Sequence, residues 1–367
     1  MASGKHSNSK KIKNDRLNNG LKSKKENKNK TKNKKKKKIL VAILCIVIII
    51  VLGIFAYVKT KLNKLEYVDI SNEDLGIEDS TSKNLENYRN IALLGVDSRN
   101  ISSNDGSRSD SIIIVSINKE TNDVKLISVY RDTYLDLGDK YGLDKVTHAY
   151  AYNGPSQTIN TLNRNLDLNI KEFVTVNFEV VADVVDLIGG IEVDIKEEEL
   201  SQMNKYIEDT SKHTGIPSEK LTHAGKQTLN GVQAVTYSRI RKTEGGDYRR
   251  TERMRTVLTK TFNKAKKMNV SQINKIADTV LPKIQTNITQ GEIIATIPKI
   301  VSYNIEENIG WPYDTKGKTL DRWYGVPVTL ESNVKKLHED LFGNSDYEVS
   351  SKVKEYSNGI INKTGYK

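Results

Sequence analysis

The 367-residue chain has one cysteine, Cys45, and it lies inside an apolar run. The long part that follows folds without a disulfide, which its size allows. A cysteine nucleophile and a thiolate metal site are excluded with it. Histidine is also scarce. Five are scattered along the chain, with no HExxH and no closely spaced pair, which argues against a zinc enzyme. Acidic residues are nearly missing at the start, where residues 1–38 hold sixteen Lys/Arg against two acids. That tail carries +14, so the formal net charge of +12 leaves about −2 for residues 39–367. Basicity is thus a property of the tail, not of the folded part. Nearly free of apolar residues, the tail cannot bury enough surface to fold. No internal repeat and no helix-turn-helix signature is present, and no room for a folded reader precedes Lys38. These absences argue against sequence-specific nucleic-acid binding, although a lysine tail attracts phosphate generally.

What is present begins with Ile39–Val58, an apolar run without a charge. About 20 residues cross a hydrocarbon core of ~30 Å at 1.5 Å per residue. Lys34–Lys38 precede it directly, and the positive-inside rule places the N-terminus in the cytoplasm and residues 59–367 outside. The run is too long for a cleaved signal peptide and no small-x-small site follows, so it is expected to be an uncleaved signal anchor in the cell membrane. Residues 59–86 read as a polar stalk, 87–345 as one catalytic domain, and 346–367 as a C-terminal tail.

In the outer part, Asn90–Gly95, Ser111–Ile117 and Val124–Tyr130 are rich in Ile and Val and read as strands. Lys119–Asp123 joins the last two as a hairpin. Further strands are expected at Phe173–Phe178, Ile191–Ile195 and Trp323–Val328. Helices are expected at Ser156–Leu166, Glu179–Leu187, Lys226–Ser238, Asp247–Met268 and Gly291–Tyr303. This mixture predicts one α/β domain, a mixed sheet flanked by helices.

Chemistry-bearing residues gather at strand ends. Asp97 and Arg99 follow a strand that ends in Gly95, and ligands in open α/β sheets sit at such ends. Arg108 and Asp110 precede the next strand. Antiparallel pairing of the two strands puts Asp97 and Asp110 at one edge. There they can hold Mg²⁺, which takes one or two carboxylates and leaves the rest to water and phosphate. Mn²⁺ is the alternative hard ion. Arg131 follows the third strand and precedes Asp132, which can pair with it or act as a base.

The helix from Asp247 carries Met254, Val257, Leu258, Phe262 and Ala265 at helical spacing, marking its inward face. Arg250 and Arg253 fall on that face near the helix start, where clustered cations are unfavourable. An anion held between them and the free backbone N–H groups resolves the conflict. Arg239, Arg241 and Lys242 lie just upstream. Arg249 and Arg255 fall off the face and receive no role.

These stretches together, GVDSR (95–99), GSRSDSI (106–112), SVYRDT (128–133), HAYAYNGP (148–155), VNFEVVADVVDLIGGIEVDI (176–195) and LNGVQAVTYSRIRK with DYRRTER (229–253), resemble the LytR-CpsA-Psr family. The resemblance covers roughly residues 88–330, and the anchor with its short tail is similar as well. Two departures are Met254, where glutamine is usual, and Thr147-His148 before AYAY. The resemblance implies a phosphotransferase that moves an anionic glycopolymer, such as teichoic acid or capsule, from an undecaprenyl-pyrophosphate carrier to peptidoglycan, at the N-acetylmuramic acid C6 hydroxyl. It implies Asp97 and Asp110 at Mg²⁺ and catalysis by these with Arg131. It implies Arg99, Arg108, Arg131, Arg239, Arg241, Arg250 and Arg253 around the pyrophosphate. The implied partners are the lipid-linked glycopolymer, the peptidoglycan acceptor and membrane lipid, with no nucleic acid. The lipid tail needs an apolar groove, for which Val174–Ile188 and the helix face from Met254 to Phe262 are candidates. The alternatives are a non-catalytic receptor for wall polymer, a pyrophosphatase, and a membrane-tethered transcription attenuator.

Overall fold

The computed structural model describes residues 48–49, 52–71, 75–98 and 106–367. The chain divides into two compact units, residues 1–60 and 61–367. In the first unit, residues 48–49 and 52–60 are helical, and Ile48, Ile49, Leu52, Ile54 and Phe55 are exposed. No helix among the described residues is long and apolar enough to cross a membrane. The tail 1–38 and most of the expected span 39–58 lie outside the described residues.

The second unit is built on a seven-stranded mixed sheet. Its strands are β1 (Glu66–Tyr67), β2 (Tyr88–Val96), β3 (Ser109–Asn118), β4 (Asp123–Val129), β5 (Glu172–Asn177), β6 (Gln285–Thr286) and β7 (Asn304–Trp311). The spatial order is β1-β6-β5-β2-β3-β4-β7. The hairpins β2–β3 and β3–β4 are antiparallel, while β5 and β7 run parallel to β2 and β4.

Alternation along the strands divides the core. Ala92, Leu94 and Val96 of β2, with Ile112, Ile114, Ile127 and Val129, face one side. There they meet α1 (Val146–Leu166) and two helices from the end of the chain. On the other side lie Ile91, Leu93, Ile113, Val115 and Leu126. A separate helical cluster stands over that face. It holds α2 (Phe178–Leu187), α3 (Glu197–Thr214), α4 (Gly231–Arg239) and α5 (Gly246–Ala265), with a hairpin of Ile191–Ile195 and Gly225–Leu229. All three apolar clusters belong to residues 61–367, which therefore have the cores of a folding unit of their own.

Four expectations are corrected. Lys226–Ser238 is not one helix. Gly225–Leu229 is a strand, and Asn230 then caps α4 by accepting from Gln233 N at 2.9 Å. Residues 61–71 and 75–86 are part of the domain rather than a stalk, with Leu62, Leu75 and Leu85 buried. The expected tail contains α7 (Ser351–Thr364), whose Val353 and Ile360 are buried against the sheet face that also takes α6 (Leu330–Phe342). The expected helix at 291–303 is an α-helix, Gln290–Thr296, followed by a 3₁₀ turn, Ile297–Ser302.

Candidate functional site

The carboxyl ends of β2, β4 and β5 and the amino end of β3 meet at one edge of the sheet. A register shift at Gly95/Val96 pairs Gly95 with Ser111 and Val96 with Ser109. Glycine is required at 95, since a Cβ there would fall 2.9 Å from Ser111 Cβ. Asp97 and Asp110 therefore emerge together, and both line one cavity of about 370 Å³ with Arg239, Arg241, Lys242 and Arg250.

Asp110 anchors the cations. One of its oxygens accepts from Arg131 Nη1, and the other from Arg241 Nη2 at 3.4 Å. Its backbone carbonyl accepts from Arg250 Nη2 at 3.2 Å. Arg250 is buried and is clamped by Asp247, with Nε 2.8 Å from Oδ1 and Nη2 3.1 Å from Oδ2. Burial pulls its guanidinium below its ordinary pKa, and nearby Arg241 and Arg131 pull the same way, while Asp247 and Asp110 oppose them. Arg239, Arg241, Lys242 and Arg250 line the cavity with Asp97, Asp110 and Asp209, an excess of cations suited to an anion.

The structure brings Asp97, Asp110, Arg131, Arg239, Arg241 and Arg250 together. Arg239 lies over the Phe178 ring at 4.9 Å and near Asp209 Oδ2 at 3.4 Å. Arg253 departs from expectation. It is inward but spends its donors elsewhere, Nε on Glu199 at 2.8 Å, Nη1 on the Ile240 carbonyl at 3.2 Å and Nη2 on Thr243 at 2.8 Å. It fixes the loop that carries Arg241 rather than lining the cavity. Arg108 is exposed at the approach to β3. Arg99 lies outside the described residues. Arg255, given no role, is buried beside Tyr130, with burial lowering its pKa. Its Nε and Nη1 have no hydrogen-bond partner among the described residues.

Asp247 was missed, though an acid in the first turn three residues before an arginine is a readable pairing signal. Tyr206 and Asp209, which also line the cavity, sit on α3, a helix that the sequence reading left out. Among the described residues no group of three or more His, Cys, Asp or Glu side chains gathers as a metal cage. The donor set at the edge is the pair Asp97 and Asp110, and two carboxylates beside a phosphate site fit Mg²⁺, which draws its other ligands from water and phosphate.

The charged cavity continues into an apolar one. A groove of about 230 Å³ shares Phe178 and Met254 with it and is lined by Leu93, Val181, Val184 and Leu258 among others. A second groove, of about 290 Å³, shares Leu93 and Leu258 with the first and runs on to Phe262 and Ile300. The two candidate lipid-facing segments thus face each other below the sheet.

Known proteins share this arrangement of strands and helices. TagU of Bacillus subtilis, named a polyisoprenyl-teichoic acid–peptidoglycan teichoic acid transferase, is 34% identical over 203 residues, 54% of this chain. The chain spans 60% of the length of that relative. TagT of Bacillus subtilis, with the same activity in its name, is 31% identical over 62% of this chain and 69% of its own. The solved structure of YwtF (TagT), a LytR-CPS2A-psr family protein with bound octaprenyl pyrophosphate lipid, superposes with a TM-score of 0.54 at 25% identity, covering 75% of this chain and 99% of that one. The sequence profile of the LytR_cpsA_psr family matches residues 54–314, a stretch that begins before β1 and ends just past β7, and with its entire sheet inside that match the chain belongs to this family.

Proposed function

We propose that the protein is a phosphotransferase that moves an anionic glycopolymer from a polyprenyl-pyrophosphate carrier to peptidoglycan. The observation that carries this reading is the junction at Phe178 and Met254, where an arginine-rich cavity opens into an apolar groove. A lipid pyrophosphate has that shape, a compact anion on an apolar tail. The names of the relatives support transfer of a wall polymer. The finer reading has an undecaprenyl carrier and the N-acetylmuramic acid C6 hydroxyl as acceptor. It places the protein in the cell membrane, N-terminus in the cytoplasm and residues 59–367 outside.

Phosphoryl transfer rests mainly on positioning and charge stabilisation. Asp97 and Asp110 would hold Mg²⁺, or Mn²⁺, which supplies Lewis-acid charge to phosphate oxygens. Arg131 and Arg250 are held rigid by Asp110 and Asp247, so they present charge without reorganisation. Arg239 and Arg241 line the same cavity and add to its positive charge. The acceptor hydroxyl oxygen bonds to the phosphorus that bears the glycan. The bond from that phosphorus to the bridging oxygen breaks, and polyprenyl phosphate leaves. The hydroxyl proton passes to a carboxylate, for which Asp97 and Asp132 are the candidates.

The test uses residues 61–367, wild type, Asp97→Ala and Arg131→Ala, with Mg²⁺, a lipid-pyrophosphate-linked saccharide and a peptidoglycan oligomer. Mass spectrometry reads the joined product. Joining by wild type, with a loss on the order of 10²-fold or more in each variant, is expected. Lipid binding without product under any metal turns the reading to a receptor. Full activity of Arg131→Ala removes that residue from the site.

A further inference from the structure

A second recess opens on the other side of Arg131. Its volume is about 380 Å³, and Tyr130, Asp132, Asp247, Tyr248 and Trp323 line it. Trp323 is 49% exposed and Tyr248 44% exposed, so both rings are open to a ligand. Neither ring is loose. Tyr248 meets the Tyr130 ring edge-on at 4.5 Å and is hydrogen-bonded to Thr315. Trp323 lies on the antiparallel hairpin Thr315–Thr319/Trp323–Pro327, paired with Thr319, and its indole covers Gly317, where a Cβ would fall 2.7 Å from Nε1. A bare glycine under the indole lets the ring lie flat on the hairpin.

The hairpin is tied to the site. Gly325 N donates to the Asp132 carbonyl at 2.9 Å, and Thr133 bridges to Gly325. The Asp132 carboxylate is held 2.7 Å from Lys145 Nζ and stands next to Arg131. On the opposite wall, Asp247 is the residue that clamps Arg250. The recess and the charged cavity thus share their dividing wall.

We propose that this recess is the acceptor subsite and takes a pyranose ring of a hydroxyl-bearing glycan, resting on the reading of the protein as a transferase. Flat aromatic rings beside a carboxylate suit a sugar, whose C–H faces pack on the rings and whose hydroxyls donate to the acid. Position selects the acceptor over the donor. Along the sheet edge the order is Phe178 after β5, Asp97 after β2, Asp110 at β3, then Arg131 and Asp132 after β4. Three strand spacings, about 14 Å, separate the apolar groove from the recess. The leaving lipid phosphate belongs at the groove. In-line displacement brings the attacking oxygen from the opposite side, which is the side of the recess. That choice makes Asp132, not Asp97, the carboxylate that receives the hydroxyl proton as the new O–P bond forms and polyprenyl phosphate departs.

The chain has two tryptophans, and Trp311 is wholly buried, so Trp323 is the one that a bound sugar can reach. Residues 61–367 are titrated with a soluble N-acetylglucosamine–N-acetylmuramic acid oligomer and, separately, with the saccharide of the donor. Saturable change in tryptophan emission with the acceptor oligomer is expected, absent in Trp323→Ala. In transfer assays Trp323→Ala raises the acceptor KM about tenfold, Trp323→Phe restores much of it, and binding of a prenyl pyrophosphate is unchanged in both. Asp132→Asn lowers kcat with the acceptor KM little altered. An emission change with the donor saccharide alone overturns the assignment. So does an acceptor KM indifferent to Trp323→Ala and Tyr248→Ala. Should no transfer occur at all, the emission titration still decides the recess separately from the reaction.

Discussion

One strand, β2, presents two unlike faces. Ala92, Leu94 and Val96 are at most 1% exposed beneath α1 and the terminal helices, while Ile91 and Leu93, of the same chemical kind, are half-buried and line the two grooves. Period-two alternation supplies apolar side chains to both sides alike. The difference lies in what covers them. On one face helices interlock with the sheet to interior density. On the other, α2 and α5 stand off and leave room for a ligand to complete the packing. The apolar pattern on the first face supports stability, and on the second it supports binding.

Stability separates the two faces most strongly. Leu94→Ala is expected to cost about 3–5 kcal/mol, because a filled core leaves a cavity behind. Leu93→Ala enlarges a void that already exists and should cost about 1 kcal/mol. Urea unfolding of residues 61–367 measures both, and equal costs would abolish the distinction between the faces. Arg253→Ala belongs with the large effects. It strands Glu199, 4% exposed, without its cation, at a cost of about 3 kcal/mol or more. Arg250→Ala, by contrast, should impair pyrophosphate binding more than its modest effect on the urea midpoint.

Filling the open face has a smaller effect, on ligand binding. Leu93 lines both grooves, so Leu93→Trp occupies the space where they meet. Prenyl-pyrophosphate affinity should fall roughly tenfold or more, about 1.4 kcal/mol, with the urea midpoint held or raised. Retained affinity with a lowered midpoint would mean that the lipid does not run along β2.

The strands β2 to β4 and the shared edge of Asp97 and Asp110 followed from Ile/Val alternation around a short turn, all local signals. The inward phase of Arg250 and Arg253 was equally local, and both are buried. Phase shows that a side chain points in, not what it meets there. Glu199, fifty-four residues upstream on a helix left out of the reading, takes Arg253. Lys226–Leu229 looked continuous with the helix that follows because its strand partner is more than thirty residues away. The terminal helix α7 buries Val353, Ser357, Ile360 and Thr364, too few apolar residues to show a stripe. The aromatic recess joins Tyr130, Tyr248 and Trp323, and a separation of that length leaves no spacing to notice.

The smallest expected effect tests the rim of the packed face. Asp144 is buried next to Leu143, which packs on that core. Burial pushes its carboxyl pKa up. Hydrogen bonds from His148 Nδ1 at 2.7 Å, the Lys145 amide at 2.7 Å and the Tyr152 hydroxyl at 2.9 Å outweigh burial and hold it down at about 2 against an ordinary 3.8. A carboxylate depressed in the folded state stabilises fully above its unfolded pKa, and that contribution fades as pH falls from about 4 through about 2. The linkage amounts to about 2 kcal/mol at most, and nearer 1 once solvent screening at the rim is allowed for. Asp144→Asn should therefore lower the urea midpoint at pH 6 and converge on wild type near pH 2. A gap that stays constant across that range would assign the cost to lost hydrogen-bond geometry instead of charge. Leu94→Ala, whose cost is apolar, should keep its gap at every pH, which separates the dry interior of this face from its ionised rim.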